Sequence, residues 1–314
     1  MNISVIIPIK NRAHLIAETL ESIWAQSLPA AEVIIVDDGS TDNLRDILQP
    51  YADKIIFVSS KGHGPGAARN TGLEIAIGDA IQFFDSDDIM SPNKLEVQAA
   101  LLGGNIKTGC VIGPFVAAKK EQHKWVQTDV IMQYFPIRNM PFNNIVAQGW
   151  CSITQACLFS RSLVDQVGAW REDIMTHEDK EYWSRIAMLV PFPVHENKSL
   201  TIYRQHEQQI TDKHTKELER TQNGIAVFSE ILKRDKKQLS LLSIFVLKGL
   251  IANYKKYCKR YQVHYPLTLS DHLSGIISKV YSKYGRVKTG TDWQPIHGVN
   301  ADKTVFQKYL KLFV

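Results

Sequence analysis

Short apolar runs alternate with stretches of helical periodicity over the first ninety or so residues. Ile3 to Ile7 is an apolar run closed by Pro8 and Asn11, and the segment after it carries Ile16, Leu20 and Ile23 at the spacing of one buried helix face. Val33 to Val36 repeats the strand pattern. It runs through Asp37-Asp38-Gly39 into Ser40, Thr41 and Asp42, residue types that cap a following helix. A third strand is expected at Ile55 to Val58. The glycines of Gly62-His63-Gly64-Pro65-Gly66 then permit tight turns before a helix through Leu73, Ile75 and Ile77. A fourth apolar run, Ala80 to Phe84, ends abruptly in Asp85, Asp87 and Asp88. Strand and helix in alternation predict an α/β domain with a parallel sheet and crossover helices.

Apolar strands do not end in three carboxylates by default. In an open α/β sheet, ligands bind beyond the carboxyl ends of the strands. Carboxylates one residue apart can share a divalent cation that also holds a diphosphate. The stretch AIQFFDSDDIMSP at 80–92 therefore reads as a metal and nucleotide site, or more plainly as an Asp-rich turn in which Asp88 and Ser91-Pro92 start the next helix. The pair Asp37-Asp38 strengthens the first reading, because two strands then deliver acids to one sheet edge.

Four segments in chain order resemble the sequential signatures of family 2 glycosyltransferases, inverting nucleotide-sugar transferases of GT-A fold. They are IPIKNR at 7–12, VDDGSTD at 36–42, GPGAARNTG at 64–72 and FFDSDD at 83–88. HEDKEYW at 177–183 and YRQHEQQIT at 203–211 extend the resemblance over about two-thirds of the chain. It implies an α/β, GT-A, Rossmann-like fold over residues 1–215, with a mostly parallel sheet flanked by helices, followed by a basic, mostly helical C-terminal region over 216–314. It further implies transfer of a sugar from a nucleotide-diphospho-sugar, with a UDP-sugar as the expected donor and Mn2+ or Mg2+ as cofactor. The acceptor would be the hydroxyl of an unknown glycan or lipid-linked molecule, in glycan, polysaccharide or glycolipid biosynthesis.

By the same resemblance, Asp87 is a metal ligand, Asp85 of the Asp-x-Asp element faces the ribose, and Asp88 supports the loop. Asp38 matches the acid that recognises the base, Asp37 lies beside it, and Pro8 and Arg69 line the nucleotide site. Arg204 and His206 belong to a segment that returns to the diphosphate, where a guanidinium can bind phosphate and an imidazole can complete a divalent site; surface or core roles stay open for both. Asp179 of the Glu178-Asp179 pair matches the base that deprotonates the acceptor hydroxyl, with Glu178 as its support. As residues alone, the two acids would only suit the positive end of a helix, and the neighbouring His177 reads as structural. Trp150 fits either an apolar sugar platform or a buried tryptophan. Lys10 departs from the family, which tends to carry there an aromatic that stacks on the base, so the base stays open. A QxxRW-type element is absent, YWSR at 182–185 echoing it only faintly, which implies addition of one sugar at a time.

Two rival readings remain at this level. A nucleotidyltransferase would want a Gly-rich, Lys- or Arg-bearing loop directly after the first strand, where this chain has PIKNRAH. A catalytically silent binding module would keep the motifs without the activity.

Charge changes the picture only toward the end of the chain. The 314 residues carry a formal +5, but Lys233 to Val314 holds 16 lysines and arginines against 4 acids, a net +12 that leaves −7 for the remainder. Lysines flank the apolar run Leu239 to Ala252, which is too short and too interrupted by Lys248 to span a bilayer. It fits a core helix of a C-terminal subdomain or an interfacial helix on anionic lipid. Nucleic acid is not expected as a partner, since no stacking motif accompanies the charge. No basic segment followed by a long apolar run opens the chain. The expected place is the cytoplasm, with peripheral contact at the inner face of the membrane as the open alternative. Cys110, Cys151, Cys157 and Cys258 show no CxxC spacing and read as reduced, structural residues.

Overall fold

The computed structural model describes residues 1–104, 109–121, 124–132, 141–148, 152–206 and 217–280. Trp150 and Cys151 lie outside these residues. The alternating first part of the chain folds as β1 (Ile3–Ile9), α1 (Ala13–Trp24), β2 (Glu32–Asp37), α2 (Leu44–Leu48), β3 (Ile56–Ser59), α3 (Gly64–Ile75) and β4 (Ala80–Phe83). Next come β5 (Ile89–Met90), α4 (Lys94–Gly104), β6 (Cys110–Ile112), β7 (Phe115–Glu121), β8 (Lys124–Met132), α5 (Phe142–Ala147), β9 (Cys157–Ser160) and α6 (Arg161–Val167). The last described elements are α7 (Glu178–Leu189), β10 (Val194–His195), β11 (Thr201–Gln205), α8 (Glu217–Asp235), α9 (Leu241–Cys258) and α10 (Leu269–Val280).

The main sheet has the order β10-β6-β9-β4-β1-β2-β3. β1 pairs in parallel with both β2 and β4, and β2 with β3. Because side chains alternate across a strand, the mostly apolar β1 fills two cores at once. Ile6 joins Ile34, Phe83, Phe159 and Trp183 on one face, while Val5 and Ile7 join Ile16, Leu20, Ile35 and Leu95 on the other. The sequence reading missed β9, which inserts antiparallel between β4 and β6. A second sheet, β5-β11-β7-β8, stands beside the carboxyl edge and brings β11 back toward the acids after β4.

Two local expectations are corrected. The helix expected through Ile77 stops at Ile75, where Ala76 turns extended, and Ile77 is 83% exposed. The polar residues 40–42, expected to cap their own helix, instead serve α1 across the loop. Asp42 accepts from the Ala13 amide at 2.9 Å and Ser40 Oγ from the Asn11 amide at 2.9 Å. The helix after them starts at Leu44 with no side-chain cap. A cap bonds whichever free helix amide lies nearest in space, and parallel strands place that amide on the neighbouring crossover.

Close approach by a glycine fixes the start of α3. A Cβ on Gly66 would lie 2.2 Å from the carbonyl oxygen of Arg171, so only a hydrogen there lets the helix seat against residues 170–172.

In the C-terminal part, α9 follows Ser240, whose hydroxyl accepts from the Ser243 amide at 3.2 Å. It buries Val246, Leu247, Ile251 and Ala252, and Leu247 and Ile251 pack with Val227, Phe228 and Ile231 of α8 and with Ala147 and Ile174. Within the run 239–252 the later part is therefore packed as a core helix, while Leu241, Leu242 and Phe245 stay exposed. Among the described residues no helix is long and apolar enough to cross a membrane.

Candidate active site

The carboxyl edge of the main sheet collects acids from three elements. β2 ends at Asp37, whose carboxylate accepts from the Ser40 amide at 2.8 Å and so shapes the turn that carries Asp38. Asp38 is buried and pairs with Lys10 Nζ at 3.2 Å, with His63 Nδ1 3.7 Å from its other oxygen. Lys10, in the place of a stacking aromatic, is thus held by the very acid expected to read the base. Pro8 is half-buried at this edge, opposite Val36 of β2.

β4 delivers Asp85, Asp87 and Asp88, each offering an oxygen within 4.8 Å of the others. Their roles are separated by their partners. Asp88 is wholly buried and accepts from the Arg204 amide and from Gln155 Nε2. Burial and the neighbouring charges of Asp87 and Asp85 push its carboxyl well up, which suits a loop brace rather than an ion ligand. Asp87 is partly open to solvent; its Oδ2 lies 2.9 Å from His206 Nε2 and 3.5 Å from Arg12 Nε. Burial works against its charge, yet the His206 hydrogen bond and the charges of His206, Arg12 and Arg204 outweigh it and hold the carboxyl below its ordinary value. An ionised carboxylate beside an imidazole forms a mixed oxygen and nitrogen donor set that suits Mn2+ better than Mg2+, which prefers oxygen ligands throughout. The residues present therefore fit a divalent cation held by Asp87 and His206.

The guanidinium of Arg204 takes the core role left open for it, beneath the Asp87 loop. It is wholly buried and donates to the Asp87 carbonyl, to Glu18, to the Leu15 carbonyl at 3.1 Å and to Thr19 Oγ1 at 2.8 Å. Its ring-stacking partner is Trp125, 5.3 Å away. Such a placement fits a brace for the loop of Asp87 and not a direct phosphate contact. The cation that does face Asp87 is Arg12, which the reading of motifs passed over although it ends the quoted segment IPIKNR.

Arg69 joins the two halves of the site. Its guanidinium bonds Asp85 Oδ1 and Glu178 Oε1, each at 3.2 Å, and lies over the Trp170 ring at 4.6 Å. Trp170 in turn stacks on Tyr182 of α7 at 3.8 Å. Trp170 carried no signal in the sequence; only its packing under Arg69 reveals it. Helix α7 follows His177, which adopts a left-handed conformation (φ 67°) and packs against Phe228 and Tyr254. Glu178, Asp179 and Glu181 occupy its first turn, where the helix dipole favours negative charge. Asp179 Oδ1 accepts from the Lys180 amide at 2.7 Å, and its charge is near enough to help raise the Asp85 carboxyl, which burial raises first. The expected base and the expected metal acids thus stand at one edge. Trp150 lies outside the described residues.

Burial pushes the Glu178 carboxyl up to about 7, against the opposing pull of Arg69. An unfolded glutamate titrates near about 4.3, so between these values the folded protein holds the proton more tightly and loses stability as pH rises. Below about 4.3 this contribution is fully present, and above about 7 it is gone. Glu178→Gln should flatten the fall in urea midpoint across that window. An unchanged slope would show that Glu178 does not titrate there.

The chain shares its fold with glycosyltransferases of the GT-A class. The chain belongs to glycosyl transferase family 2, whose family model matches residues 4–168. It is similar, at 34% identity over 131 residues, to the Escherichia coli UDP-Glc:alpha-D-GlcNAc-diphosphoundecaprenol beta-1,3-glucosyltransferase WfgD, the match covering 38% of this chain and 52% of that protein. Three other curated relatives are matched over only 17% to 31% of their own length. Among solved structures, S. aureus TarS 1–349 in complex with UDP-GlcNAc shares the fold with a TM-score of 0.60 at 19% identity, over 88% of this chain and 79% of that one. The mannosyltransferase PcManGT from Pyrobaculum calidifontis, in complex with GDP-Man and Mn2+, gives a TM-score of 0.55 at 17% identity, over 99% and 85%.

Proposed function

We propose that residues 1–215 form the catalytic unit of an inverting glycosyltransferase that takes a sugar from a nucleoside-diphosphate sugar, a UDP-sugar first, and transfers it to the hydroxyl of a glycan or lipid-linked acceptor. The observation that carries this reading is the gathering of Asp87, His206 and Arg12 after β4, with Arg69 bridging Asp85 to Glu178, the neighbour of Asp179 at the start of α7. Asp87 and His206 would hold Mn2+ or Mg2+, which when bound supplies charge neutralisation to the diphosphate. Arg12 adds a fixed positive charge beside it. Asp38 and Asp37, with Pro8, frame the base side, and Asp85 with Arg69 closes the ribose side. Asp179 accepts the proton of the acceptor hydroxyl as its oxygen attacks the anomeric carbon from the face opposite the diphosphate. The anomeric carbon–oxygen bond breaks, and its electron pair stays on the departing phosphate. The names of the relatives support the donor class: one uses UDP-Glc and acts on a diphosphoundecaprenol-linked sugar, and solved neighbours hold UDP-GlcNAc or GDP-Man with Mn2+.

Thermal stabilisation against a panel of nucleotide sugars, with and without Mn2+, tests the reading. The right donor at 100 times its dissociation constant should add about 2.7 kcal/mol, only with the cation, and should slowly release nucleoside diphosphate. Release or consumption of pyrophosphate would point to a nucleotidyltransferase, and neither reaction to a silent binding module.

A further inference from the structure

The large apolar side chains that stand exposed are not evenly spread. Six of them lie on two helices: Leu241, Leu242 and Phe245 in the first turns of α9, and Leu269 (76% exposed), Leu273 (51%) and Ile276 (60%) on α10. On α10 the spacing of four and three residues makes a single stripe. The helix turns its small residues, Ser274 and Gly275, inward instead, and Gly275 sits against Asn253 and Lys256 of α9. Among the described residues of α10, Ser274 and Gly275 thus face inward and the large aliphatic side chains outward, the reverse of ordinary core packing. Lys248, one turn beyond Phe245 on the same face, reaches Ser270 Oγ at 3.4 Å and so links the two apolar sets.

Around them the charge has one sign. From Lys236 to Arg260 there are seven lysines and arginines and no acid, with Lys236, Lys237, Lys259 and Arg260 exposed. Asp271, the first acid after Asp235, lies 3.8 Å from Lys255. We propose that α10, with the first turns of α9, docks flat on an anionic lipid surface, its Leu269, Leu273 and Ile276 stripe entering the headgroup boundary while the surrounding lysines meet lipid phosphates. A helix of 12 residues is about 18 Å long, too short to span a bilayer but suited to lie in the interface. Charge decides between occupants. A second copy of this face would bring two cationic rims together, whereas an anionic bilayer answers both the apolar stripe and the positive rim.

This surface lies outside the donor site, so its test is independent of catalysis. The full chain should float with vesicles of phosphatidylcholine carrying roughly one-third phosphatidylglycerol and remain behind with phosphatidylcholine alone. Raising salt from about 0.05 M to about 0.5 M should weaken the partition on the order of tenfold. The triple change Leu269→Ser, Leu273→Ser and Ile276→Ser should weaken it by at least about tenfold without lowering the melting temperature. Replacement of Lys236, Lys237, Lys259 and Arg260 by Gln should weaken it too and reduce its salt dependence. Absence of flotation at any salt, or flotation of the triple variant equal to wild type, would overturn the proposal. So would a triple variant that unfolds or dissociates a dimer, because the stripe would then be covered by residues 281–314 or by a second copy.

Discussion

Asp87→Asn is expected to remove metal-dependent donor binding while the protein stays folded. The substitution keeps the shape of the side chain but takes away the charge that faces His206 and Arg12, and a cation that loses an anionic ligand loses more than the 10–100-fold typical of outer-shell partners. Donor affinity measured by calorimetry with Mn2+ should fall by more than about 100-fold, while affinity without the cation barely moves. His206→Ala should move in the same direction. Donor binding that keeps its full Mn2+ dependence in Asp87→Asn would remove Asp87 from the site.

Asp179→Asn should produce the opposite division. As the proposed base it acts on the acceptor, so donor dissociation constants should be retained, whereas the transfer rate should drop on the order of 10²–10⁴-fold, the usual contribution of a positioned base. Single-turnover rates at saturating donor and acceptor read this loss directly. Equal losses in donor binding and turnover would mark Asp179 as part of the binding frame that runs from Arg69 through Glu178. For that reason Glu178→Gln makes a useful companion, since Glu178 bonds Arg69 and its change should disturb donor binding as well.

How much of this was legible beforehand depends on the distance over which each feature is encoded. The strands of β1, β2 and β4 and the acids that end them are local: a β-branched or apolar run followed by Asp and Gly needs no distant partner to declare itself. The N-terminal turn of α7 is local too, for Glu178 and Asp179 precede Tyr182, Trp183 and Ile186 at helical spacing, and all three are buried. Roles that depend on orientation were not legible. Arg204 is 186 residues from Glu18 and 117 from Asp87, and only the return of β11 beside the β4 loop turns its guanidinium into a brace. Asp42 offered a cap that the sequence assigned to the wrong helix, because the nearest free amide belonged to a crossover 29 residues earlier.

The sequence by itself determined the α/β alternation, the parallel edge and the identity of the acids gathered there, because apolar periodicity and turn chemistry act over a few residues. The tertiary structure alone decided which of those acids stay open to an ion and which are buried as supports. Asp87 and Asp88 are adjacent and chemically identical, yet one meets His206 and Arg12 at the rim while the other is enclosed by Gln155 and the Arg204 amide. The same holds at the far end, where composition announced a cationic tail but only helix packing turned Leu269, Leu273 and Ile276 of α10 outward. Burial and charge compensation are properties of neighbours in space, and those neighbours come from positions that no local pattern connects.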